Sequence, residues 1–155
     1  MNKSVDIALG LGSNLGDRQG NILRAVEMLK ASGLENIQVS SLSAYAPIDC
    51  PEGSGEFLNG ALTAVWTGTA PELLCVGCEI EKKLGRPQHR QINSPRPVDI
   101  DILLFGSECI FTSALIVPHE RMLSRDFVMK PLAEIAGDWL VPGTSKTVAE
   151  LAGEL

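Results

Sequence analysis

No stretch of the 155-residue sequence approaches the ~20 consecutive apolar residues that a membrane-spanning helix requires. No secretory signal is visible either, because Lys3 is not followed by an apolar run free of Gly and Asp. Four cysteines are too few for a disulfide scaffold. Cys75 and Cys78 have the spacing of a redox or zinc half-site, but Cys50 and Cys109 stand far off and supply no second pair. They read as ordinary helix residues. There is no internal repeat, no low-complexity segment and no Gly-Lys-Ser/Thr phosphate loop. Gly10 and Gly12 begin a dinucleotide fingerprint, but Leu15 stands where its last glycine would be. A net charge of −6 argues against a whole-surface nucleic-acid binder. What remains is one cytoplasmic domain over residues 1–155, expected as a monomer in preference to a dimer. With 45% apolar and 21% charged residues, its composition is ordinary for a globular chain. A chain of this length buries roughly 70% of its unfolded surface, enough for a core without staples.

The charge is unevenly placed. From Lys82 to Val98 there are five cations, Lys82, Lys83, Arg86, Arg90 and Arg96, with His89 among them and no acid. With +5 there and −6 overall, the rest of the chain carries −11. Gly85, Pro87, Pro95 and Pro97 make the segment a loop. Lys82 and Lys83 read as a solvated helix face. Arg86, Arg90 and Arg96 on a Pro-rich loop read as phosphate holders, because guanidinium presents a planar fork to phosphate oxygens.

Directly after the loop, Val98–Phe105 reads as a strand, apolar on both faces toward its end and so expected to be central in a sheet. Alternation puts Asp99 and Asp101 on one face, roughly 6–7 Å apart along the chain, and Val98, Ile100, Ile102 and Leu104 on the other. Two carboxylates on a largely buried strand repel each other and lose hydration. A divalent cation removes both penalties, and all-oxygen ligands suit Mg²⁺. A strand end in solvent would also tolerate the pair; the arginines just upstream favour the metal. Metal-held acids beside phosphate-holding arginines are the parts of phosphoryl transfer.

Elsewhere, Asp6–Leu11 reads as a strand, residues 10–16 as a Gly-rich turn, and Asp17 as the cap of a helix bearing Ile22, Ala25, Val26 and Leu29. Ile37–Leu42 reads as a second strand, Tyr45–Glu56 as a long loop and Phe57–Trp66 as a third strand carrying Asn59. A helix opens at Thr69 or Ala70 with Pro71 in its first turn; Leu73, Gly77, Ile80 and Leu84 share its core face. Ile110–Val117 offers one or two short strands, Arg125–Ala136 a third helix despite Pro131, and Thr147–Leu155 a short helix. The order β-α-β-β-α-β is the α+β ferredoxin-like pattern, an antiparallel sheet with packed helices and long loops over the site.

Gly12-Ser13-Asn14-Leu15-Gly16, Phe57-Leu58-Asn59, Gly85-Arg86, Pro95 through Gly106 around the two aspartates, Val117-Pro118-His119 and Arg125-Asp126-Phe127 together resemble the 6-hydroxymethyl-7,8-dihydropterin pyrophosphokinase family. The resemblance implies transfer of diphosphate from the co-substrate ATP to the pterin hydroxymethyl group, leaving AMP. It implies two Mg²⁺ ions on Asp99 and Asp101, and catalytic roles for Arg86, Arg96, Asp99 and Asp101. Glu81, Arg86, Arg96, Ile102, His119 and Arg125 would face ATP. Tyr45, Pro47, Ile48, Phe57, Asn59 and Phe127 would form the pterin pocket, with Asn59 reading the amide edge and Phe127 stacking on the ring. The implied partners are these small molecules, with neither nucleic acid nor membrane. The chain departs from the family's usual residues at Tyr45, Gln88, Asn93, Ala114 and Glu120, the third standing where a Trp is usual. The residues alone leave open another Mg-dependent phosphotransferase, a non-catalytic nucleotide-binding module or a purely structural domain.

Overall fold

The computed structural model describes residues 3–45, 57–85, 97–119 and 121–155; of Tyr45 only the main chain is described. Strand β1 (Val5–Ser13) turns Ile7, Leu9 and Leu11 onto one face, where helices α1 (Arg18–Ala31) and α2 (Ala70–Lys83) cover them. Both helices begin where side chains satisfy the orphan amides of a first turn. Asp17 accepts from Gly20 N at 3.1 Å, and Asn21 Nδ2 fastens the preceding turn to Leu15 O at 2.8 Å. Thr69 and Glu72 form a reciprocal capping box, with Glu72 N on Thr69 Oγ1 at 3.2 Å and Thr69 N on Glu72 Oε1 at 2.9 Å.

The sheet continues with β2 (Glu35–Val39), β3 (Ser43–Tyr45), β4 (Phe57–Trp66) and β5 (Asp99–Phe105). Every pairing is antiparallel; the order is β2-β4-β1-β5, with β3 also on β4. Together with the two helices on one face, this is the ferredoxin-like arrangement. Leu29, Leu62 and Leu73 are fully enclosed between sheet and helices, each burial contributing about 1.5–3 kcal/mol. A hairpin, β6 (Ile110–Phe111) and β7 (Ile116–Val117), leads through a cis Val117–Pro118 bond to a 3-10 turn at Met122–Ser124. Helices α3 (Asp126–Ala136) and α4 (Val148–Gly153) then cover part of the second sheet face, packing Met129, Leu132 and Val148 with Ala8, Ala61, Leu103 and Leu104. Pro131 sits inside α3 and cannot donate to the carbonyl of Phe127, yet the helix runs on to Ala136.

Four expectations are corrected. β5 lies at an edge of the described sheet, beside β1 alone. It is apolar on both sides because helices cover both faces of the sheet, not because strands flank it. Leu104 does not share a face with Ile100 and Ile102: the register with β1 shifts so that Leu9 pairs Ile102 and Ala8 pairs Leu104, and the extra Leu103 turns Leu104 toward α3. Residues 10–13 are strand rather than turn, with Gly10 opposite Asp101 and Gly12 opposite Asp99. The stretch 37–42 is not one strand. Buried Ser40 replaces a ladder step with its hydroxyl, which accepts from Ala61 N at 2.8 Å while Ser40 N donates to Ala61 O at 2.9 Å, and the chain re-enters the sheet at Ser43.

The break is clamped by α3. Glu134 Oε1 accepts from Ser41 N at 2.8 Å and Oε2 from Ser41 Oγ at 2.7 Å. These bonds hold the Glu134 carboxyl below its usual 4.5, as the Thr69 and Thr147 bonds do for Glu72 and Glu150. A carboxyl lowered on folding adds stability that is full above its unfolded value and is lost as pH falls through its folded value. The thermal midpoint should therefore begin to fall below about pH 4.5. Glu134→Gln should shallow that acid slope by lowering the midpoint near neutrality toward its acid value, with little change at low pH, as read from unfolding curves across pH. An unchanged slope would remove Glu134 from the account.

Candidate active site

Helix α3 covers only one end of the second sheet face. At the other end the register sets Asp99, Gly12 and Asn59 in one row across β5, β1 and β4, and Asp101, Gly10 and Ala61 in the next. Adjacent strands lie about 4.8 Å apart, so the first row spans about 10 Å from the Asp99 to the Asn59 backbone. Glycine occupies the middle of both rows, leaving a trough walled by two carboxylates on one side and an amide and an aromatic ring on the other. A Cβ on Gly12 would lie 3.0 Å from Asn59 Oδ1 and 3.7 Å from Phe57 Cδ1. Asp99, Asp101, Phe57 and Asn59 are all half-buried, reachable by a ligand yet partly screened from water.

At the outer edge of β5 a cleft of about 290 Å³ runs between Leu74, Ile100, Ile102, the 112–115 turn and His119, and it reaches Asp101. Ile100 N donates outward to Glu81 Oε2 at 2.8 Å. Main-chain groups two residues apart in a strand point the same way, so the N–H and C=O of Ile102 also face outward. His119 is tied to β5 by its own N–H on Leu103 O at 3.2 Å, and its Nδ1 accepts from Arg121 N at 3.3 Å. In the neutral ring that bond leaves the proton on Nε2, as a donor. At the start of α3 the Arg125 guanidinium lies 5.4 Å from the Phe127 ring centre, a cation–π contact that orients both side chains.

The structure thus brings Asp99, Asp101, Asn59 and Phe57 to one sheet face, and Asp101, Ile102 and His119 to one cleft. Glu81 lies on α2 with its carboxylate on the β5 main chain. Arg86, Arg96, Pro47 and Ile48 lie outside the described residues, as do Gln88, Asn93 and Glu120; Tyr45 ends β3 in main chain alone. Among the described residues no group of three or more His, Cys, Asp or Glu gathers as a metal cage. Sequence reasoning reads the glycines of residues 10–16 as a structural turn, with backbone approach to a ligand as the lesser reading; in the structure Gly10 and Gly12 are strand residues that floor the trough. That reasoning missed Leu74, Thr112 and Leu115, which only tertiary packing places in the cleft. Ala114, one of the departures from the family, lines the same cleft.

The floor makes a testable demand. Gly12→Ala should push the Asn59 amide and raise the KM of a ligand seated in the trough about tenfold, the size of one lost hydrogen bond. Gly10→Ala meets Leu103 at an ordinary 3.5 Å and serves as control. Steady-state kinetics on both variants checks this; equal losses in the two would remove the special role of Gly12.

Residues 8–137 match the sequence model of the 7,8-dihydro-6-hydroxymethylpterin-pyrophosphokinase (HPPK) family. A Bacillus subtilis 2-amino-4-hydroxy-6-hydroxymethyldihydropteridine pyrophosphokinase is 42% identical over 129 residues, covering 82% of this chain and 75% of that protein. The Aquifex aeolicus protein of the same name is 37% identical over 150 residues, covering 96% and 91%. A folate synthesis bifunctional protein of Arabidopsis thaliana is 36% identical over 85% of this chain, which spans only 27% of its length. The fold is shared with a crystal structure of Plasmodium falciparum HPPK-DHPS, with a TM-score of 0.74 at 16% identity over 99% of this chain and 45% of that one. The matched residues include both rows of the trough, and the chain belongs to the 7,8-dihydro-6-hydroxymethylpterin-pyrophosphokinase family.

Proposed function

We propose that the protein transfers the terminal diphosphate of ATP to the hydroxymethyl oxygen of 6-hydroxymethyl-7,8-dihydropterin and releases AMP. The observation that carries the reading is the pair of rows in which Asp99 faces Asn59 across Gly12, with the Phe57 ring beside that glycine, and Asp101 faces Ala61 across Gly10. That trough suits a flat ring lying on the sheet, its amide edge at Asn59 and its hydroxymethyl arm toward the carboxylates. The cleft at the outer edge of β5 suits the nucleoside, with the outward main chain of Ile102 for the edge of the base and His119 Nε2 as a donor to phosphate. The two ligands would then meet at Asp101, which among the described residues is common to trough and cleft.

Mg²⁺ fits this donor set. It is commonly held by one or two carboxylates together with substrate phosphate oxygens rather than by an all-protein cage. Two half-buried carboxylates on one face, with no third acid beside them among the described residues, match that habit. Asp99 and Asp101 would hold two ions, which when bound screen the triphosphate charge and polarise the phosphoryl oxygens. The bond that forms joins the pterin hydroxymethyl oxygen to the β-phosphorus; the bond that breaks is the α–β bridge, whose oxygen leaves with AMP. Positioning and charge stabilisation do most of the work in such a displacement. Asn59 and Phe57 orient the acceptor, Phe127 covers it, and Arg86, Arg96, His119 and Arg125 take up phosphate charge.

AMP formation measured with ATP, Mg²⁺ and the pterin alcohol together, and with each omitted in turn, tests the reading. AMP that appears only in the complete mixture is expected. Its absence there, with the protein folded, would overturn the proposal.

A further inference from the structure

We propose that Glu81 is a positioning residue for the metal-holding strand: its carboxylate takes the place of a neighbouring strand at the outer edge of β5 and fixes the main chain between Asp99 and Asp101. The inference rests on the reading of those two aspartates as the metal holders. The inner edge of β5 is paired with β1 through Asp99, Ile100, Asp101 and Ile102. On the outer edge, Ile100 N donates to Glu81 Oε2 at 2.8 Å. Ile100 stands directly between the two aspartates, so a turn of its peptide would move both carboxylates.

Helix α2 is built to make this contact. Gly77 and Glu81 are one turn apart on the same side of the helix. Gly77 lets the helix approach, since a Cβ there would already touch Ile100 Cγ2 at 3.5 Å. Glu81 then reaches the Ile100 amide. Its residue is only 8% exposed, on a face otherwise formed by Ala70, Leu73, Gly77 and Ile80. A buried carboxylate is unfavourable unless hydrogen-bonded, and an apolar side chain at this position would pack at no such penalty. An apolar side chain, however, offers the Ile100 amide no acceptor oxygen, and only a side chain of this reach brings one to it. Glu81 thus trades some core stability for a fixed aspartate pair.

Two variants separate reach from charge. Glu81→Gln keeps an acceptor oxygen at the same reach. Glu81→Asp keeps the charge and draws it back by one methylene. Two readouts apply to the ligand-free protein: exchange of the Ile100 amide by NMR, and binding of Mn²⁺ alone by paramagnetic titration. In Glu81→Gln both should stay within about threefold of the parent. In Glu81→Asp the amide should exchange at least about tenfold faster and Mn²⁺ should bind about tenfold more weakly, as when the supporting partners of metal ligands are removed. Parent-like behaviour of Glu81→Asp would overturn the proposal. So would a loss in Glu81→Gln as deep as in Glu81→Asp, because charge alone would then be the cause. Faster exchange with unchanged Mn²⁺ affinity would also overturn it, leaving Glu81 a structural residue. A parent protein that binds Mn²⁺ through Asp99 and Asp101 yet makes no AMP would overturn the proposed function and leave this inference standing.

Discussion

Asp101→Ala, alone or combined with Asp99→Ala, should lower AMP formation by more than about a thousandfold while the protein stays folded. Both carboxylates lie half-buried on one face of β5, opposite Gly10 and Gly12, where no side chain of β1 stands between them and a ligand. Removing either carboxylate takes away an oxygen donor that Mg²⁺ would use, and a half-buried strand position tolerates alanine. Asp101 should be the more sensitive of the two, because it borders the cleft at the outer edge of β5 as well as the trough. Turnover, Mn²⁺ binding and thermal unfolding measured on the single and double variants check this. Mg-dependent AMP formation that survives in the double variant would sink the metal assignment.

Arg96→Ala should lower kcat and kcat/KM together by roughly 10²–10³-fold, the effect of losing one donor aimed at developing charge. Arg96 lies outside the described residues, and its case rests on sequence. It precedes Asp99 by three residues, so the extended chain between them spans at most about 11 Å. It also belongs to the only strongly cationic segment of an acidic protein. A guanidinium fork can hold two phosphoryl oxygens at once, which lysine cannot reproduce, so Arg96→Lys should recover little activity. Arg86→Ala should likewise slow chemistry while leaving ground-state MgATP affinity nearly unchanged. If both arginines merely attract phosphate, the alanine variants will show weaker MgATP binding, steep salt dependence and normal kcat at saturation. Kinetics and nucleotide titration on the same preparations decide between the two. A rise in KM alone for both variants would rule out catalytic roles.

The parts of the fold that could be read from sequence are those whose signal is local. Phe57–Trp66 is an uncharged, Pro-free, largely apolar run that ends at Thr67-Gly68, and it is β4 to the residue. Thr69, Pro71 and Glu72 mark the start of α2 by cap chemistry alone. The shared face of Asp99 and Asp101 follows from the period of a strand and is found in the register. What could not be read depends on neighbours. An apolar run looks the same whether strands flank it or helices cover both its faces, so the edge position of β5 was hidden. Nothing in Leu103-Leu104 announces the extra residue that turns Leu104 to the other side. Gly10 and Gly12 gave a turn signal because glycine is scarce in strands, whereas here its missing side chain is what opens the trough. The role of Glu81 at the β5 main chain depends on a helix approaching a strand nearly twenty residues away in sequence, which no local pattern encodes.

The edges of the sheet bear on how the protein behaves in concentrated solution. A sheet edge with a run of open N–H and C=O groups invites another chain to add a strand. At one edge, Ile100 N is taken by Glu81 and Leu103 O by His119 N, three residues apart, so an incoming strand meets an occupied position at each end of that span. At the other, β2 is largely exposed and begins with Glu35, and Asn36 takes a left-handed φ of 54° where the register with β4 shifts. A bulge of this kind twists the strand away from a straight partner. Lateral growth is thus obstructed on both sides by features that also serve the interior, and weakening the Glu81 contact would open a docking edge as well as loosen the aspartates. Self-association at high concentration is therefore a hazard to watch for in any variant made at that position.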